Sequence, residues 1–516
     1  MLNGGSRRRL VGMKPIWLLS FESYMVRKVG GLGEVPPRLA RALREKGYEA
    51  IVYTPSHGVK LIENVEELYS VNIRGENYRI LRYRVNPEHF VIEGGVFKDE
   101  NVYSGGRLLE KSAVFGLVVS SYLRHVVETG FDKVPIVIHG NDWHSYPALL
   151  LSNMLKVEKG LSLKLVYQLH LLSKMKIDLD FFTSVIGVRM HAPITGVEGV
   201  KPFEYYFNRA GGWVEKLAYL TVDHYVTVSN GYVKDVEKNL GWETAGRIDY
   251  IPNALVWTSK EVFDTVAKHY DVKNPLDPEE RKRVRRKILT EDMAGFKGVI
   301  TEPHVKESLK SLLEHYELDK PKAFDKDGQL VFLSGRLAGQ KGLDTLLGSL
   351  ERIIVENPRV RIVLAYIPVE GSEPLIRKLG EYHWAFNENL RIIIGKMSPE
   401  DYMSLYFAAD AYLVPSRYEP FGLVAVESVA AGTPVVASFT GGLKDIVVDL
   451  RENPEEGVGF LIRPGNRFEL AEAVVMLLEI MKNPANQERI RRNCVKRSQE
   501  FSWEKSAGKA LKIYFS

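Results

Sequence analysis

The stretch from Arg27 to Gly47, RKVGGLGEVPPRLARALREKG, places a lysine and a run of glycines directly before a helical pattern. A glycine-rich turn that opens a helix suits a phosphate group, because unpaired amides point outward there and the helix dipole favours negative charge. Lys28 and the amides of Gly30 and Gly31 are therefore candidate phosphate ligands. The alternative is that the glycines serve turn geometry alone, since their spacing does not match the dinucleotide-binding pattern G-x-G-x-x-G.

A second stretch, VPSRYEPFGLVAVESVAAGTPVVAS from Val414, has acidic residues where a bound sugar and ribose would need them. Its pattern predicts a strand, a short loop with Glu419, and a helix from Pro420 to near Gly432. Glu419 would precede that helix and Glu427 would lie on its second turn, about 12 Å apart along the axis, a separation that suits two hydroxylated groups joined by a diphosphate. The helix dipole offers a purely structural explanation for Glu419 but not for Glu427, which is costly inside an apolar helix without a partner. The amides at the start of the predicted helix are further phosphate candidates: Phe421, Gly422 and Leu423.

Two cations follow another predicted strand. In GRLAGQKG, the strand ends at Ser334, and the loop offers Arg336 and Lys341. Fixed positive charges at such a place stabilise the charge that develops on a leaving diphosphate. The alternative for Arg336 alone is a surface salt bridge.

Strand-like runs alternate with helical patterns along the whole chain, which predicts an α/β fold with parallel sheets covered on both faces. We expect two doubly wound, Rossmann-like domains that face a central cleft at the carboxyl ends of their strands. Asp142 and His170 lie in loops after two predicted strands of the first domain, at the edge where open α/β sheets bind ligands, although a loop histidine is often structural. The strand-like runs are IWLLS, AIVYTP, PIVIHG, LKLVYQLH, HYVTVS, QLVFLSG, RVRIVLAYI, NLRIIIG, AYLVPS and TPVVAS.

A chain of 516 residues exceeds what one hydrophobic core usually serves. We predict a disordered extension over residues 1–12, an N-terminal domain over 13–253 and a helical insertion or linker over 254–328. A C-terminal domain follows over 329–500, and a last helix over 501–516 returns to the N-terminal domain.

Composition excludes several classes of function. The 70 basic and 65 acidic residues leave a net charge of +5, too small for this length to indicate a nucleic-acid partner. No apolar run approaches transmembrane length, so no membrane partner is expected. The single cysteine, Cys494, excludes internal disulfides and cysteine-based metal sites and favours the cytoplasm. No clustered metal ligands are seen.

The segment from Val414 resembles the E-x7-E region of retaining GT-B glycosyltransferases. The stretch at Lys28 resembles the K-x-G-G-L motif of glycogen and starch synthases, glycosyltransferase family 5. The resemblance covers most of the chain and is nearest to the short archaeal type. Further pieces agree in order: TPSHG from Thr54, HGNDWH from His139, YQLHLLSK from Tyr167, TVSNGY from Thr227, GRLAGQKG from Gly335 and TGGLKDIV from Thr440.

The resemblance implies a hexosyltransferase that moves glucose from ADP-glucose or UDP-glucose to the nonreducing end of an α-1,4-glucan, with retention and without a metal or other cofactor. The N-terminal domain would serve the acceptor and the C-terminal domain the nucleotide sugar. The implied catalytic residues are His170, Arg336, Lys341 and Glu419. Lys28, Gly30, Gly31, Phe421, Gly422, Leu423 and Glu427 would bind the donor, with Glu427 on the ribose, and Asp142 would line the glucan side.

Some residues depart from the family pattern. Leu171 stands where bacterial members commonly have asparagine after the histidine, and Ala254 follows Asn253 where glycine is frequent. Two alternatives therefore stay open. One is a related GT-B enzyme with a small acceptor, trehalose- or mannosyl-transferring, which K-x-G-G-L and TGGL disfavour. The other is a catalytically silent glucan-binding protein on the same fold, which the intact set of candidate residues disfavours.

Overall fold

The computed structural model describes residues 15–103, 106–241 and 244–516, and the chain divides into two compact units. The first unit comprises the chain up to Asn253 together with Trp503–Ser516, and the second comprises Ala254–Ser502. By this division residues 254–328 belong to the second unit. The predicted extension over residues 1–12 lies outside the described residues.

The described residues of the first unit form a nine-stranded sheet in the order β11-β10-β7-β6-β1-β2-β5-β4-β3. A separate hairpin, β8-β9, lies outside this sheet. The strands are β1 Ile16–Leu19, β2 Ala50–Pro55, β3 Val65–Ile73, β4 Glu76–Tyr83, β5 His89–Gly94, β6 Val137–Asn141, β7 Lys164–Leu169, β8 Pro193–Gly196, β9 Gly199–Pro202, β10 His224–Thr227 and β11 Asp249–Tyr250. The helices are α1 Val35–Glu45, α2 Leu108–Thr129, α3 Tyr146–Lys159, α4 Phe203–Ala210, α5 Val214–Thr221 and α6 Asn230–Leu240.

The centre of this sheet is apolar because both of its faces are covered. Strand β1 pairs in parallel with β2 and β6, and every residue of β1 is buried. Helix α1 buries Val35, Leu39, Ala40 and Leu43, and Pro36 and Pro37 lie in its first turn. The sequence did not predict the antiparallel extension β3-β4, in which β4 pairs antiparallel with both neighbours.

The described residues of the second unit form a six-stranded sheet, parallel throughout, in the order β14-β13-β12-β15-β16-β17. Its strands are β12 Leu330–Arg336, β13 Arg361–Ile367, β14 Leu390–Ile394, β15 Ala411–Val414, β16 Val435–Ser438 and β17 Gly459–Ile462. Its helices are α7 Ser259–Tyr270, α8 Pro278–Thr290, α9 Pro303–His315, α10 Leu343–Glu356, α11 Glu373–Ala385, α12 Pro399–Ala408, α13 Leu423–Ala430, α14 Leu443–Ile446, α15 Arg467–Ile480 and α16 Pro484–Ser498.

Both sheets confirm the predicted α/β class with two doubly wound, Rossmann-like domains. In each sheet the next strands of the chain lie on one side of the first strand, and the later strands lie on its other side. The strand order reverses between β1 and β6 in the first unit and between β12 and β15 in the second. Such reversal points are where open α/β sheets bind ligands, at the carboxyl ends of the strands.

The last helix, α17 Trp503–Tyr514, packs in the core of the first unit. Ala507, Ala510 and Ile513 lie in one cluster with residues of β1, α1 and β2. The hydroxyl of Tyr514 lies 2.7 Å from Nδ1 of His139, a buried residue of β6. The end of the chain is therefore part of the first unit's core.

Residues 254–328 contain α7, α8 and α9, and α8 is held inside the second unit by one buried arginine. Arg281 is 1% exposed, and its guanidinium lies 4.0 Å from the ring centroid of Phe407. It donates hydrogen bonds of 2.7 Å to the backbone carbonyls of Pro275, Phe407 and Ala431. Phe407 and Ala431 lie at the carboxyl ends of α12 and α13, so Arg281 binds carbonyls that a helix end leaves without a partner.

We predict that Arg281→Met lowers the free energy of unfolding by about 3–5 kcal/mol, because two buried carbonyls and the partly buried carbonyl of Pro275 lose their donor. Arg286→Met is the matched control on the same helix, since Arg286 is exposed. Urea unfolding followed by circular dichroism measures both. Equal stability of the two variants would contradict a bracing role for Arg281.

Candidate active site

In the second unit the two loops at the reversal point are tied together. Lys341 Nζ donates a hydrogen bond of 2.6 Å to Glu419 Oε2, and Ser416 Oγ lies 3.2 Å from the same oxygen. The backbone amide of Arg417 donates to the carbonyl of Gln340 at 2.8 Å. The loop after β12 and the loop after β15 therefore form one structure, with a lysine and a carboxylate as an ion pair at its centre.

Helix α13 begins later than the sequence predicted. It starts at Leu423 instead of Pro420, because Gly422 has a φ of 102°, a left-handed conformation that a helix cannot continue through. Glu419 therefore lies in the loop before the helix, and the predicted axial separation from Glu427 does not apply to it. Within the described part of the chain, the amides of Phe421, Gly422 and Leu423 donate no hydrogen bond.

The two glycines of the TGGL stretch, Gly441 and Gly442, contact the backbone of the loop that contains Glu419. The amide of Gly442 donates to the carbonyls of Glu419 and Pro420, both at 3.1 Å. Gly441 has a φ of 46°, and a Cβ on it would lie 1.9 Å from the carbonyl oxygen of Glu419. Only glycine allows this close approach. The backbone on both sides of Glu419 is therefore fixed before any ligand is considered.

Glu427 and Arg336 lie in different surroundings. Glu427 is 7% exposed on α13, and Oε2 of its carboxylate accepts a hydrogen bond of 3.1 Å from the hydroxyl of Tyr406. Arg336 is the last residue of β12 and is partly buried. Among the described residues, its guanidinium has no ion pair or hydrogen bond. Its charge is available to an anion at the carboxyl end of the sheet.

In the first unit, the glycine loop is organised by a buried acid, Glu22. Oε2 of Glu22 accepts hydrogen bonds from the amides of Val29 at 2.5 Å and Gly30 at 2.8 Å, and Oε1 accepts one from the hydroxyl of Tyr103 at 2.9 Å. Glu22 is 1% exposed. The Gly30 amide thus has a carboxylate partner, and Gly31 begins the short 3-10 turn Gly31–Glu34 that leads into α1.

Lys28 is also paired with an acid. Its ammonium contacts Oε1 of Glu34, and Arg38 Nε donates a hydrogen bond of 2.7 Å to Oε2 of the same carboxylate. Burial acts to raise the pKa of Glu34, but the charges of Lys28 and Arg38 outweigh it, so the pKa lies below its ordinary value. Glu34 is therefore ionised and holds Lys28 beside the glycine loop.

Asp142 and His170 lie together at the ends of the neighbouring strands β6 and β7. Oδ1 of Asp142 accepts hydrogen bonds from the amides of His170 at 2.6 Å and Leu171 at 3.3 Å. The His170 ring Nε2 lies 2.8 Å from Oδ1 of Asn141. The Nδ2 of Asn141 donates to the carbonyl of Leu19 at 3.0 Å, which leaves its Oδ1 to accept from the ring. Nε2 of His170 therefore carries a proton.

The electrostatics of this pair favour the uncharged forms. Burial raises the pKa of Asp142 to about 7, with smaller contributions from the carboxylates of Glu215 and Glu22, although the amides of His170 and Leu171 act to lower it. Burial, with a small effect of His139, lowers the pKa of His170 to about 3. His170 is accordingly a neutral imidazole that donates through Nε2 at neutral pH.

Metal sites and membrane-spanning helices are absent from the part of the chain that the structure describes. Residues 15–103, 106–241 and 244–516 contain no group of three or more His, Cys, Asp or Glu side chains arranged to hold a metal ion. No helix in these ranges is long and apolar enough to cross a membrane.

Comparison with known proteins now assigns the two units. Residues 15–248 match the family model described as starch synthase catalytic domain, and residues 314–497 match the model described as glycosyl transferases group 1. The chain is 26% identical to the glycogen synthase of Thermosipho melanesiensis over 96% of this chain and 98% of that protein. It is 24% identical to the glycogen synthase of Thermotoga maritima over 97% and 98% of the two chains.

The chain is therefore similar to glycogen synthases along nearly its whole length, with a starch synthase catalytic domain match in its first unit and a glycosyl transferases group 1 match in its second. A solved structure agrees in fold: the catalytic domain of starch synthase IV from Arabidopsis thaliana, bound to ADP and acarbose, superposes with a TM-score of 0.69. It shares 20% identity and covers 98% of this chain and 99% of that chain. The fold is thus the GT-B fold seen in starch synthase structures.

Both family matches contain predicted site residues. The starch synthase match contains Lys28, Asp142 and His170, and the group 1 match contains Arg336, Lys341, Glu419 and Glu427. The sequence reasoning missed the side chains that hold these residues: Glu22, Asn141 and Tyr406. An acid at the end of an apolar strand, as in IWLLSFE, is the signal that could have identified Glu22.

We predict that Asp142→Asn becomes more stable than the wild-type chain as the pH rises from about 4 to 7. In that range the unfolded chain releases the Asp142 proton and the folded chain keeps it, so the wild-type loses stability with rising pH, by about 2–4 kcal/mol in total. Above pH 7 the difference should stay constant. Urea unfolding at several pH values measures it.

Asp178→Asn is the control for this prediction, because Asp178 is exposed in the same unit. Its stability relative to the wild-type should vary little over the same range. A stability difference for Asp142→Asn that is flat between pH 4 and 7 would show that the carboxyl ionises normally in the folded protein.

Proposed function

We propose that this chain elongates an α-1,4-glucan by transferring glucose from a nucleoside diphosphate glucose, with retention at the anomeric carbon. The observation that carries the proposal is the ion pair between Lys341 and Glu419 beside the amides of Phe421, Gly422 and Leu423. A cation, a carboxylate and a set of free amides match a diphosphate joined to a hydroxylated sugar. The match to glycogen synthases along nearly the whole chain supports the same conclusion.

In the proposed reaction, the bond from the glucose anomeric carbon to the diphosphate oxygen breaks. A bond forms from that carbon to the 4-hydroxyl oxygen of the glucan end, on the same face, and the hydroxyl proton leaves on the diphosphate. Arg336 and Lys341 would stabilise the negative charge that develops on the leaving diphosphate. Lys28 and the amides of Gly30 and Gly31 are proposed as further donor ligands, which requires the Gly30 amide to exchange Glu22 for a phosphate oxygen.

The remaining residues are proposed to bind the sugars. Glu419 would accept hydrogen bonds from the donor glucose, and Glu427 from the ribose. His170, as a neutral donor, would bind a sugar hydroxyl, with Asp142 on the glucan side. The starch synthase IV structure was solved with ADP and acarbose, which supports a nucleotide and a glucan as ligands here.

Three finer points belong to the same proposal. The base of the donor is adenine or uracil, and no residue described above selects between them. The archaeal type is proposed from the resemblance of the ordered motifs to the short archaeal members of the family. The cytoplasm is supported by the single cysteine, Cys494, which is buried and unpaired.

We predict that Arg336→Ala lowers kcat/KM for glucan elongation by about 100-fold or more, because a charge-stabilising donor is lost. The assay measures release of nucleoside diphosphate from ADP-glucose and from UDP-glucose, with and without glycogen. Arg352→Ala is the control, since Arg352 lies on α10 and pairs with Glu356. It should retain wild-type activity.

Each outcome of this assay separates the candidate functions. Release that depends on glycogen and is lost in Arg336→Ala supports the proposal and identifies the donor. Release that free glucose stimulates and glycogen does not would indicate a small acceptor. Binding of glycogen without release from either donor would indicate the silent glucan-binding protein.

A further inference from the structure

Behind the candidate donor residues lies a buried hydrogen-bonded network of hydroxyl groups. Ser334 Oγ on β12 lies 2.5 Å from the hydroxyl of Tyr402, 2.8 Å from that of Tyr412 and 3.4 Å from that of Tyr406. Tyr402 and Tyr406 are one turn apart on α12, and their hydroxyls lie 3.2 Å apart. The network ends at Glu427, whose Oε2 is 3.1 Å from the Tyr406 hydroxyl.

The carboxylate sets the direction of the hydrogen bonds. An ionised carboxylate can only accept, so the proton of Tyr406 must point to Glu427. The oxygen of Tyr406 is then free to accept from Tyr402 or Ser334, whose hydroxyls can donate and accept. Linked hydrogen bonds polarise one another, so the hydroxyls of Tyr402 and Ser334 strengthen the bond from Tyr406 to Glu427.

The rings are fixed by aromatic packing. Tyr406 and Tyr412 are 0% exposed. Phe332 lies with its ring centroid 5.2 Å from that of Tyr406, and Trp257 with its centroid 5.9 Å from the same ring. Burial raises the pKa of Tyr406 well above its ordinary value, so this phenol remains a neutral donor. If its hydroxyl turned to another acceptor, the buried carboxylate of Glu427 would lose this donor, which is costly.

We propose that Tyr406 is a positioning residue for the donor site, which fixes the carboxylate of Glu427 so that it can receive the ribose hydroxyls. This inference rests on the proposed function, because it takes Glu427 as the ribose ligand. The same network reaches Ser334, two residues before Arg336 on β12. It therefore links the strand that carries the diphosphate cation to the helix that carries the ribose ligand.

The test replaces single hydroxyls without changing ring volume. Tyr406→Phe should raise KM for the nucleotide sugar and Kd for the free nucleoside diphosphate about tenfold, with kcat changed less than about twofold. Tyr366→Phe is the matched control, because Tyr366 is equally buried in the same unit and its hydroxyl has no partner among the described residues. It should leave both constants unchanged. Titration calorimetry with ADP and UDP gives Kd independently of turnover.

A donor that lacks the ribose 2′- and 3′-hydroxyls distinguishes positioning from general structure. The effect of Tyr406→Phe should disappear with this dideoxy donor, and it should also disappear in the Glu427→Ala background. A purely structural defect would weaken the binding of both donors equally. Should Tyr406→Phe fail to fold, Tyr402→Phe removes a hydroxyl that supports Tyr406 and should raise KM about threefold.

The outcomes separate this inference from the function on which it rests. If Glu427→Ala binds nucleoside diphosphate as tightly as the wild-type, the ribose role of Glu427 is wrong and the inference is wrong with it. If Glu427→Ala weakens binding and Tyr406→Phe does not, only the role of Tyr406 is overturned. If Tyr406→Phe binds the nucleotide tenfold more weakly and this effect disappears with the dideoxy donor, the ribose role of Glu427 and the positioning role of Tyr406 are both supported.

Discussion

A parallel sheet covered by helices on both faces can present polar side chains only where its strands end. Both units obey this constraint at the point where their strand order reverses. In the first unit Glu22 follows β1 and Asp142 follows β6, and in the second unit Arg336 ends β12 and Glu419 follows β15. Within each unit the sheet topology therefore brings the candidate residues to the same edge of the sheet, although they are far apart in the sequence.

The same constraint makes carboxylates the organisers of the candidate phosphate ligands. A buried carboxylate is stable only when donors surround it, and the donors available at these loops are amides and lysines. Glu22 accepts from the Gly30 amide, Glu34 contacts Lys28, and Glu419 accepts from Lys341. A phosphate would have to replace Glu22 on the Gly30 amide, whereas each lysine ammonium has three donors and can bind a phosphate while it keeps its carboxylate partner. The chain's own carboxylates therefore hold these loops in a conformation whose amide and lysine donors suit the binding of an external anion.

The sequence predicted most of the fold because buried parallel strands are continuous apolar runs with little ambiguity. It failed where local pattern is weak. Strands β3 and β4 are largely exposed, and their burial shows neither a continuous apolar run nor a regular alternation, so the sequence did not identify them as strands. The start of α13 was placed too early because Pro420 suits a first helical turn, whereas the positive φ of Gly422 is set by the close approach of neighbouring chain segments. Candidate site residues were predictable from residue type and spacing, but their partners Asn141 and Tyr406 were not, because hydrogen bonds over long sequence separations leave no local pattern.

The segment over 254–328 acquires a physical role from these contacts. Its first part supplies Trp257, whose ring packs against Tyr406, and its helix α8 supplies Arg281, whose guanidinium binds the carboxyl ends of α12 and α13. Those two helices carry Tyr406 and Glu427. A flexible linker would leave these helix ends and this ring without partners in the core, at a cost in stability. The segment is therefore an integral part of the second unit, and it supports from behind the residues proposed to hold the donor ribose.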